Sequence, residues 1–332
     1  MPEPLIVDVT RGRVVESRHR VHAVVAEADG KMLHAWGDPG LAVLPRSSIK
    51  PIQALPLIET GAADRFSLSE EEIALACASH DGAPVHVEKV KSWLQRVGIG
   101  ERALQCGPQR PIARDAADAL LRGGHELTKA HNNCSGKHAG FLTTAAHLGE
   151  PAAGYIEFDH PAQRRVTQTL REFTDVEIGQ PDVAVDGCGI PTIAFPIRRL
   201  AMAAARFAAA RDFSEKRAEA VQRIRMSIAA APEMIAGPKR FDTIAMKLLG
   251  ERAIVKSGAE GTFMAMLFEP GLGMFLKVED GAGRAADIAA ANLLSFLGVL
   301  DAGQYGHVDS LLTGVVNNTL RQRVGEIRTT VT

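Results

Sequence analysis

The sequence predicts an α+β protein in which one antiparallel sheet takes strands from both ends of the chain and a helical lobe fills the middle. Three observations predict it. Strand-like runs crowd the first 45 or so residues, helical periodicity dominates from there to about residue 250, and strand character returns from Ala253. No linker, low-complexity tract or internal repeat separates these blocks. The 332 residues therefore read as a single domain, 1–332, with a sheet lobe near 1–45 and 250–332 and a helical lobe near 46–249.

Element by element, Leu5 to Thr10 and Val14 to Ser17 read as short strands. Val21 to Ala26 and Met32 to Trp36 flank Asp29-Gly30, a turn dipeptide suited to a hairpin. After Pro45 the pattern turns helical, with Ser47 or its neighbour as N-cap; Pro51 falls in a first turn, and Pro56 predicts an irregular or kinked helix. Ser69-Glu70-Glu71-Glu72 opens a helix with a capping serine and an acidic first turn that complements the helix dipole. Val85 to Val97, Cys134 to Leu148, Ala162 to Phe173, Ile197 to Ala210, Ser214 to Ala230 and Phe241 to Leu249 are further helices. Strands then return at Ala253 to Lys256, Thr262 to Phe268 and Gly273 to Glu279, with Glu269-Pro270-Gly271 turning between the last two. Ala285 to Leu297 is an alanine-rich helix of the kind that packs closely on a sheet.

Composition bounds the function. A hydrophobic fraction of 46% with 23% charged residues is that of a soluble globular protein. A formal net charge of -1 argues against a nucleic-acid partner held by bulk electrostatics. No apolar stretch reaches the roughly 18 residues of a membrane span, and Met1-Pro2-Glu3-Pro4 lacks signal-peptide character. The expectation is a cytoplasmic protein whose four cysteines, Cys77, Cys106, Cys134 and Cys188, stay reduced and act in packing, catalysis or metal binding.

The chemistry concentrates in a few segments. Ser47 and Lys50 lie three residues apart where a helix begins, so they share a face, and a partly desolvated lysine amine can take a serine proton. Ser48 is two residues from Lys50, a spacing that points the side chains apart. A bare Ser-x-x-Lys arises by chance in most chains of this length; a second element raises it. Lys256-Ser257-Gly258 follows the strand-like Ala253-Ile254-Val255, and serine acyl-transferring enzymes of the penicillin-recognising type carry both elements in this order. The backbone N–H near Ala259 then pairs with that of Ser47 as an oxyanion hole, and the site is expected in a cleft between sheet and helical lobe. His131-Asn132-Asn133-Cys134-Ser135-Gly136-Lys137-His138 is dense in reactive side chains and leads into a helix, and Asp186-Gly187-Cys188-Gly189-Ile190-Pro191 is a glycine-rich turn after the strand Val183 to Val185. Two cysteines from separate loops suit zinc, yet no complete tetrahedral set stands at familiar spacing, and by spacing alone they are two buried thiols. Ala78-Ser79-His80-Asp81 closes a helix with three polar groups in a row, which point different ways and form no local triad.

Together, the blocks Arg46 to Gln53, Ala78 to His80, His131 to Gly140, Asp186 to Thr192, Arg240 to Thr243, Lys256 to Gly261, Gly271 to Gly273 and Leu276 to Gly281 resemble the asparaginase II family, the rhizobial-type L-asparaginases, over nearly the whole chain. The resemblance implies a fold similar to serine β-lactamases and glutaminases, and hydrolysis of L-asparagine to L-aspartate and ammonia through two serine–lysine pairs, Ser47 with Lys50 and Ser79 with Lys256. It implies a zinc ion on Cys134, Cys188 and, unusually, Lys137, with Arg46, His138 and Asp186 in the substrate pocket. It also suggests a homodimer. Some family members carry an extra cysteine near the Phe241 segment, which this chain lacks. Two alternatives remain: a serine amidohydrolase of the same fold acting on glutamine or a β-lactam, and a zinc-binding sensor without catalysis.

Overall fold

Val14–Ala26, a strand of 13 residues, is the longest among the described residues, and the sheet is organised around it. The structure, a computed structural model, describes residues 2–179, 183–300 and 309–331. In chain order the strands are β1 (Leu5–Arg11), β2 (Val14–Ala26), β3 (Met32–Trp36), β4 (Ala42–Val43), β5 (Val183–Val185), β6 (Pro191–Ile193), β7 (Phe195–Pro196), β8 (Ala253–Gly258), β9 (Thr262–Leu267), β10 (Leu272–Val278), β11 (Gly314–Asn317) and β12 (Arg323–Thr329). Eight of them form one sheet in the order β11-β12-β1-β2-β10-β9-β8, with β3 also pairing β2, and every pairing is antiparallel. The expected sheet from both chain ends is present.

Contacts divide the chain into two units, one formed by the chain up to Ser48, Ala194–Ala209 and the chain from Leu248 on, the other by Ile49–Ile193 and Ala210–Lys247. The first unit holds the sheet. Val21 to Ala26 of β2 and all of β9 are buried, as strands covered on both faces require. Val14 to Ser17 and Val21 to Ala26, read from sequence as separate strands, are one strand. The polar residues between them stay in the ladder because neighbours satisfy them: Arg18 pairs with Asp8 at 2.7 Å and Arg20 with Glu279 at 3.1 Å. β11 and β12 carry no strong apolar alternation and escaped the sequence reading.

One boundary is corrected. Sequence assigned Ile197 to Ala210 to the helical lobe, whereas the helix Ile197–Ala209 belongs to the sheet unit and packs on β10, β9 and β2. Its alanine face is flat, and β10 meets it at Gly273, where an added Cβ would lie 2.1 Å from the Ala201 carbonyl oxygen. Backbone thus lies on backbone, which needs a residue without a side chain. The helix Gly283–Phe296 also packs on the sheet, as its alanines predicted.

In the second unit the helix Ser135–Leu148 is the hub, with every residue from Ser135 to Ala145 buried. Around it pack Glu70–Ala76, Pro84–Arg96 and Pro161–Thr174. Ser69 and Glu72 form the expected capping box. The irregular helix predicted after Pro45 is a 3-10 turn, Arg46–Ile49, followed by the short helices Lys50–Gln53, Leu55–Glu59 and Ala62–Arg65. Ser47 is therefore not an N-cap: it lies inside the 3-10 turn, and no side chain caps Lys50–Gln53. Among the described residues no helix is long and apolar enough to cross a membrane.

Gly273→Ala is expected to lower the unfolding free energy by about 2–3 kcal/mol through overpacking. Gly107→Ala, where an added Cβ meets nothing within 4 Å, is expected to stay within about 0.5 kcal/mol of the parent. Urea denaturation of the two variants checks this.

Candidate active site

Lys50 opens its short helix with a proline immediately after it, and its side chain is 1% exposed. Its amine contacts the Ala78 carbonyl oxygen, the Ser79 hydroxyl at 3.0 Å and the Cys134 sulfur at 3.2 Å. These three partners satisfy either protonation state. An ammonium donates to all three; a neutral amine donates to Ala78 and Cys134 and accepts from the Ser79 hydroxyl. Burial pushes the Lys50 pKa down, the Lys137 charge adds to this, and the two thiols oppose it. The couple seen is thus Lys50 with Ser79, whereas the resemblance paired Lys50 with Ser47.

Backbone contacts fix Ser79. Its N–H donates to the Ile235 carbonyl at 2.9 Å, and the Arg240 guanidinium donates to its carbonyl at 3.0 Å. Next to it, His80 is fully buried between Ser135 Oγ at 2.8 Å on Nε2 and the Gly82 N–H at 3.2 Å on Nδ1. Accepting at Nδ1, the ring carries its proton on Nε2, and burial beside His86 keeps it neutral. This bond ties the Ser79 loop to the start of the helix Ser135–Leu148. Gly136 permits that approach, because a Cβ there would lie 2.2 Å from the Leu75 carbonyl oxygen.

The same helix start carries the thiol–amine cluster. Asn132 Oδ1 accepts the Cys134 N–H at 2.9 Å, a local turn that aims Cys134 inward. β5 and β6 form a hairpin whose loop holds Asp186 and Cys188, closed by Asp186 N–H to Ile190 O at 2.8 Å. Ligand atoms of Cys134, Asp186 and Cys188 all lie within 4.8 Å of one another, and Lys137 Nζ is 3.1 Å from the Cys188 sulfur. Of the donors implied by the resemblance, Cys134 and Cys188 lie in this cluster and Lys137 contacts Cys188, while Asp186, expected as a substrate contact, is the third member of the cluster. The cysteines form no disulfide. A hydrogen bond from Cys134 and then the Lys137 charge push the Cys188 thiol down to about 5, while its partner Cys134 is pushed up to about 12. Burial works against the Lys137 ammonium, but Cys188, Cys134 and Asp186 outweigh it and raise its pKa.

In the sheet unit, Arg46 adopts the left-handed region at φ 52°, a conformation that costs a non-glycine residue about 1–3 kcal/mol. Ser47 follows, half-buried, and among the described residues its hydroxyl makes no hydrogen bond. Ser48, the alternative nucleophile, is buried with its hydroxyl donated to the Pro45 carbonyl at 2.7 Å. That carbonyl also accepts from Thr262 Oγ1 at 3.1 Å, tying the turn to the β8–β9 hairpin. Lys256 lies buried on β8 and donates to the Ser257 carbonyl at 2.8 Å; Ala259 is exposed in the following turn.

His138 is buried one residue beyond Lys137, and burial, with the Lys137 charge, pushes it down to about 3. Tyr155, which sequence reasoning passed over, lies 2.6 Å from His138 Nδ1. The only available signal was rarity, since the chain has 2 tyrosines. Arg240 was noted as part of a block, without its hold on Ser79.

The chain matches the family model for L-asparaginase II over residues 7–329. No curated protein matches it. Among solved structures it is similar to Mglu in its native form, at 14% identity and a TM-score of 0.45, covering 85% of this chain and 65% of that one. The native form in 4.3 M NaCl gives 14% identity and 0.44, covering 84% and 61%, so the chain spans less than two thirds of Mglu. A β-lactamase from Mycobacterium bovis gives 14% identity and 0.38, covering 84% and 95%. Likeness at that distance says nothing about the reaction. The family match is of another order, because it runs through every segment that builds the lysine–serine couple and the thiol–amine cluster: the chain belongs to the L-asparaginase II family.

Proposed function

We propose that the protein is an L-asparaginase that converts L-asparagine to L-aspartate and ammonia through a serine acyl-enzyme. The observation that supports this most is the buried Lys50–Ser79 hydrogen bond at 3.0 Å, an amine kept off its ordinary pKa by burial and coupled to a hydroxyl. Ser47 is the nucleophile in this reading: its hydroxyl is uncommitted, and the strained Arg46 backbone holds it at the head of a tight turn.

As the Ser47 oxygen bonds to the side-chain amide carbon, Lys50 takes the serine proton. Backbone N–H groups of Ser47 and Ala259 receive the oxyanion. The carbon–nitrogen bond then breaks while Ser79 passes its proton to the departing ammonia and is replenished from Lys50. Water attacks the ester, gives its proton back along the same route, and Ser47 leaves as the hydroxyl. Lys256 is assigned as the second amine, serving Ser79, and Arg46, His138 and Asp186 as substrate contacts.

Zinc is the ion proposed for Cys134, Cys188 and Lys137, with the Asp186 carboxylate in the same cluster. Soft sulfur donors at this separation suit it, and Lys137 ligates only as the neutral amine. Bound there, it would supply a fixed positive charge next to the lysine relay. Free thiols this close call for a reducing compartment, in keeping with a cytoplasmic enzyme. A homodimer rests on family likeness alone.

The purified protein is expected to release ammonia from L-asparagine with a kcat/KM at least about tenfold above that for L-glutamine, and not to open nitrocefin. Ser47→Ala and Ser79→Ala are each expected to lower kcat by about a thousandfold or more with the fold intact by circular dichroism. Asparagine binding without ammonia release would instead favour the sensor reading.

Cys188→Ser is expected to lose the roughly one equivalent of zinc that the parent retains through dialysis, measured by atomic absorption. Equal zinc content in both would remove the ligand assignment.

A further inference from the structure

We infer that Tyr155 is a positioning residue that fixes His138 in the Nε2–H tautomer, so that the site presents one buried, neutral N–H donor to an oxygen of the bound ligand. The inference stands on three observations. Tyr155 Oη accepts the Gln105 backbone N–H at 2.9 Å. The same oxygen lies 2.6 Å from His138 Nδ1. His138 Nε2 is buried and has no hydrogen-bond partner among the described residues.

A phenol has one proton. With Gln105 already donating to it, Tyr155 would leave its own hydrogen unpaired if it also accepted from Nδ1, because no other acceptor lies within reach of it among the described residues. Tyr155 therefore donates to Nδ1, and a neutral imidazole so bound carries its hydrogen on Nε2. Both rings are fully buried and meet edge to face at 5.5 Å, so neither turns freely.

A buried N–H without an acceptor costs about 1–3 kcal/mol, so this donor is matched to something outside the chain. It is not matched to a metal, since the His138 nitrogens lie outside the cluster of Cys134, Asp186 and Cys188, and a protonated nitrogen has no lone pair to give. It donates to a carbonyl or carboxylate oxygen; an ammonium or amide N–H offers it no acceptor. Resting on the proposed reaction, that oxygen belongs to the amino-acid substrate and remains on the product. Tyr155 touches no reacting atom in this account and acts through His138.

Long-range nitrogen–proton correlation spectra of full-length, zinc-loaded protein labelled with 15N-histidine test this at neutral pH, with His138→Gln identifying the signals. The wild-type ring is expected to show a protonated Nε2 and an unprotonated Nδ1; the reverse pattern overturns the inference by itself, whatever the fate of any variant. Tyr155→Phe is expected to give a mixture of tautomers and to raise KM for L-asparagine about tenfold with kcat within about twofold, because an oxygen held equally in ground and transition states contributes uniform binding. An unchanged tautomer in a folded Tyr155→Phe overturns the role of Tyr155. Titration with L-aspartate is expected to move the His138 Nε2–H proton downfield; binding seen elsewhere in the spectrum without that movement overturns the acceptor. Failure of L-aspartate to bind at all counts against the asparaginase reading, while the tautomer pattern still decides for or against Tyr155.

Discussion

A primary amine sealed from water must find its partners inside the protein, and Lys50 is such an amine, joining two other segments of the helical unit. Burial of an unpaired ammonium is prohibitively costly, so the position is tenable only if acceptors surround it and its proton affinity falls. The Ala78 carbonyl, the Ser79 hydroxyl and the Cys134 sulfur supply those acceptors from two other segments. Each segment is in turn held: Ser79 between Ile235 and Arg240, and the Cys134 helix start against the Ser79 loop through His80 and Ser135. Gly136 lets the second segment approach the first closely enough for both to reach one amine.

The charges in this region settle into a consistent pattern. Lys137 keeps its proton because Cys188, the more acidic thiol, stands 3.1 Å away with Asp186 beside it. Lys50 faces Cys134, the thiol that holds its hydrogen, and has no carboxylate in its hydrogen-bond shell. One lysine is therefore stabilised as a cation by its neighbours while the other is pushed toward the free base by burial and by the first. Two lysines of the same type, close together, thus acquire opposite protonation preferences from their surroundings.

Much of this was legible in the residues, for physical reasons that can be named. The strand–helix–strand order, the Asp29-Gly30 hairpin and the Ser69–Glu72 capping box follow from local chemistry and appear in the structure. The cluster of Cys134, Lys137 and Cys188 came from family likeness, since spacing says nothing about two loops that meet only in the folded unit. The Lys50–Ser79 couple was not legible, because i and i+3 spacing favours Ser47 and says nothing of a loop 29 residues away. Likewise, Ile197–Ala209 reads as any amphipathic helix, and only Gly273 on a distant strand determines that it lies on the sheet. Tyr155 and Arg240 act through a ring nitrogen and a backbone carbonyl, contacts that leave no periodic trace in sequence.

The central claim is that Lys50 and Ser79 work as one proton-transferring unit, and a double-mutant cycle on L-asparagine turnover addresses it most directly. Lys50→Met, Ser79→Ala and the pair combined, each verified as folded, would be compared by kcat/KM. The account predicts strong non-additivity, with the double variant within about threefold of the worse single variant, as for groups that act together. Losses that multiply, so that the double variant falls by the product of the two singles, would contradict it.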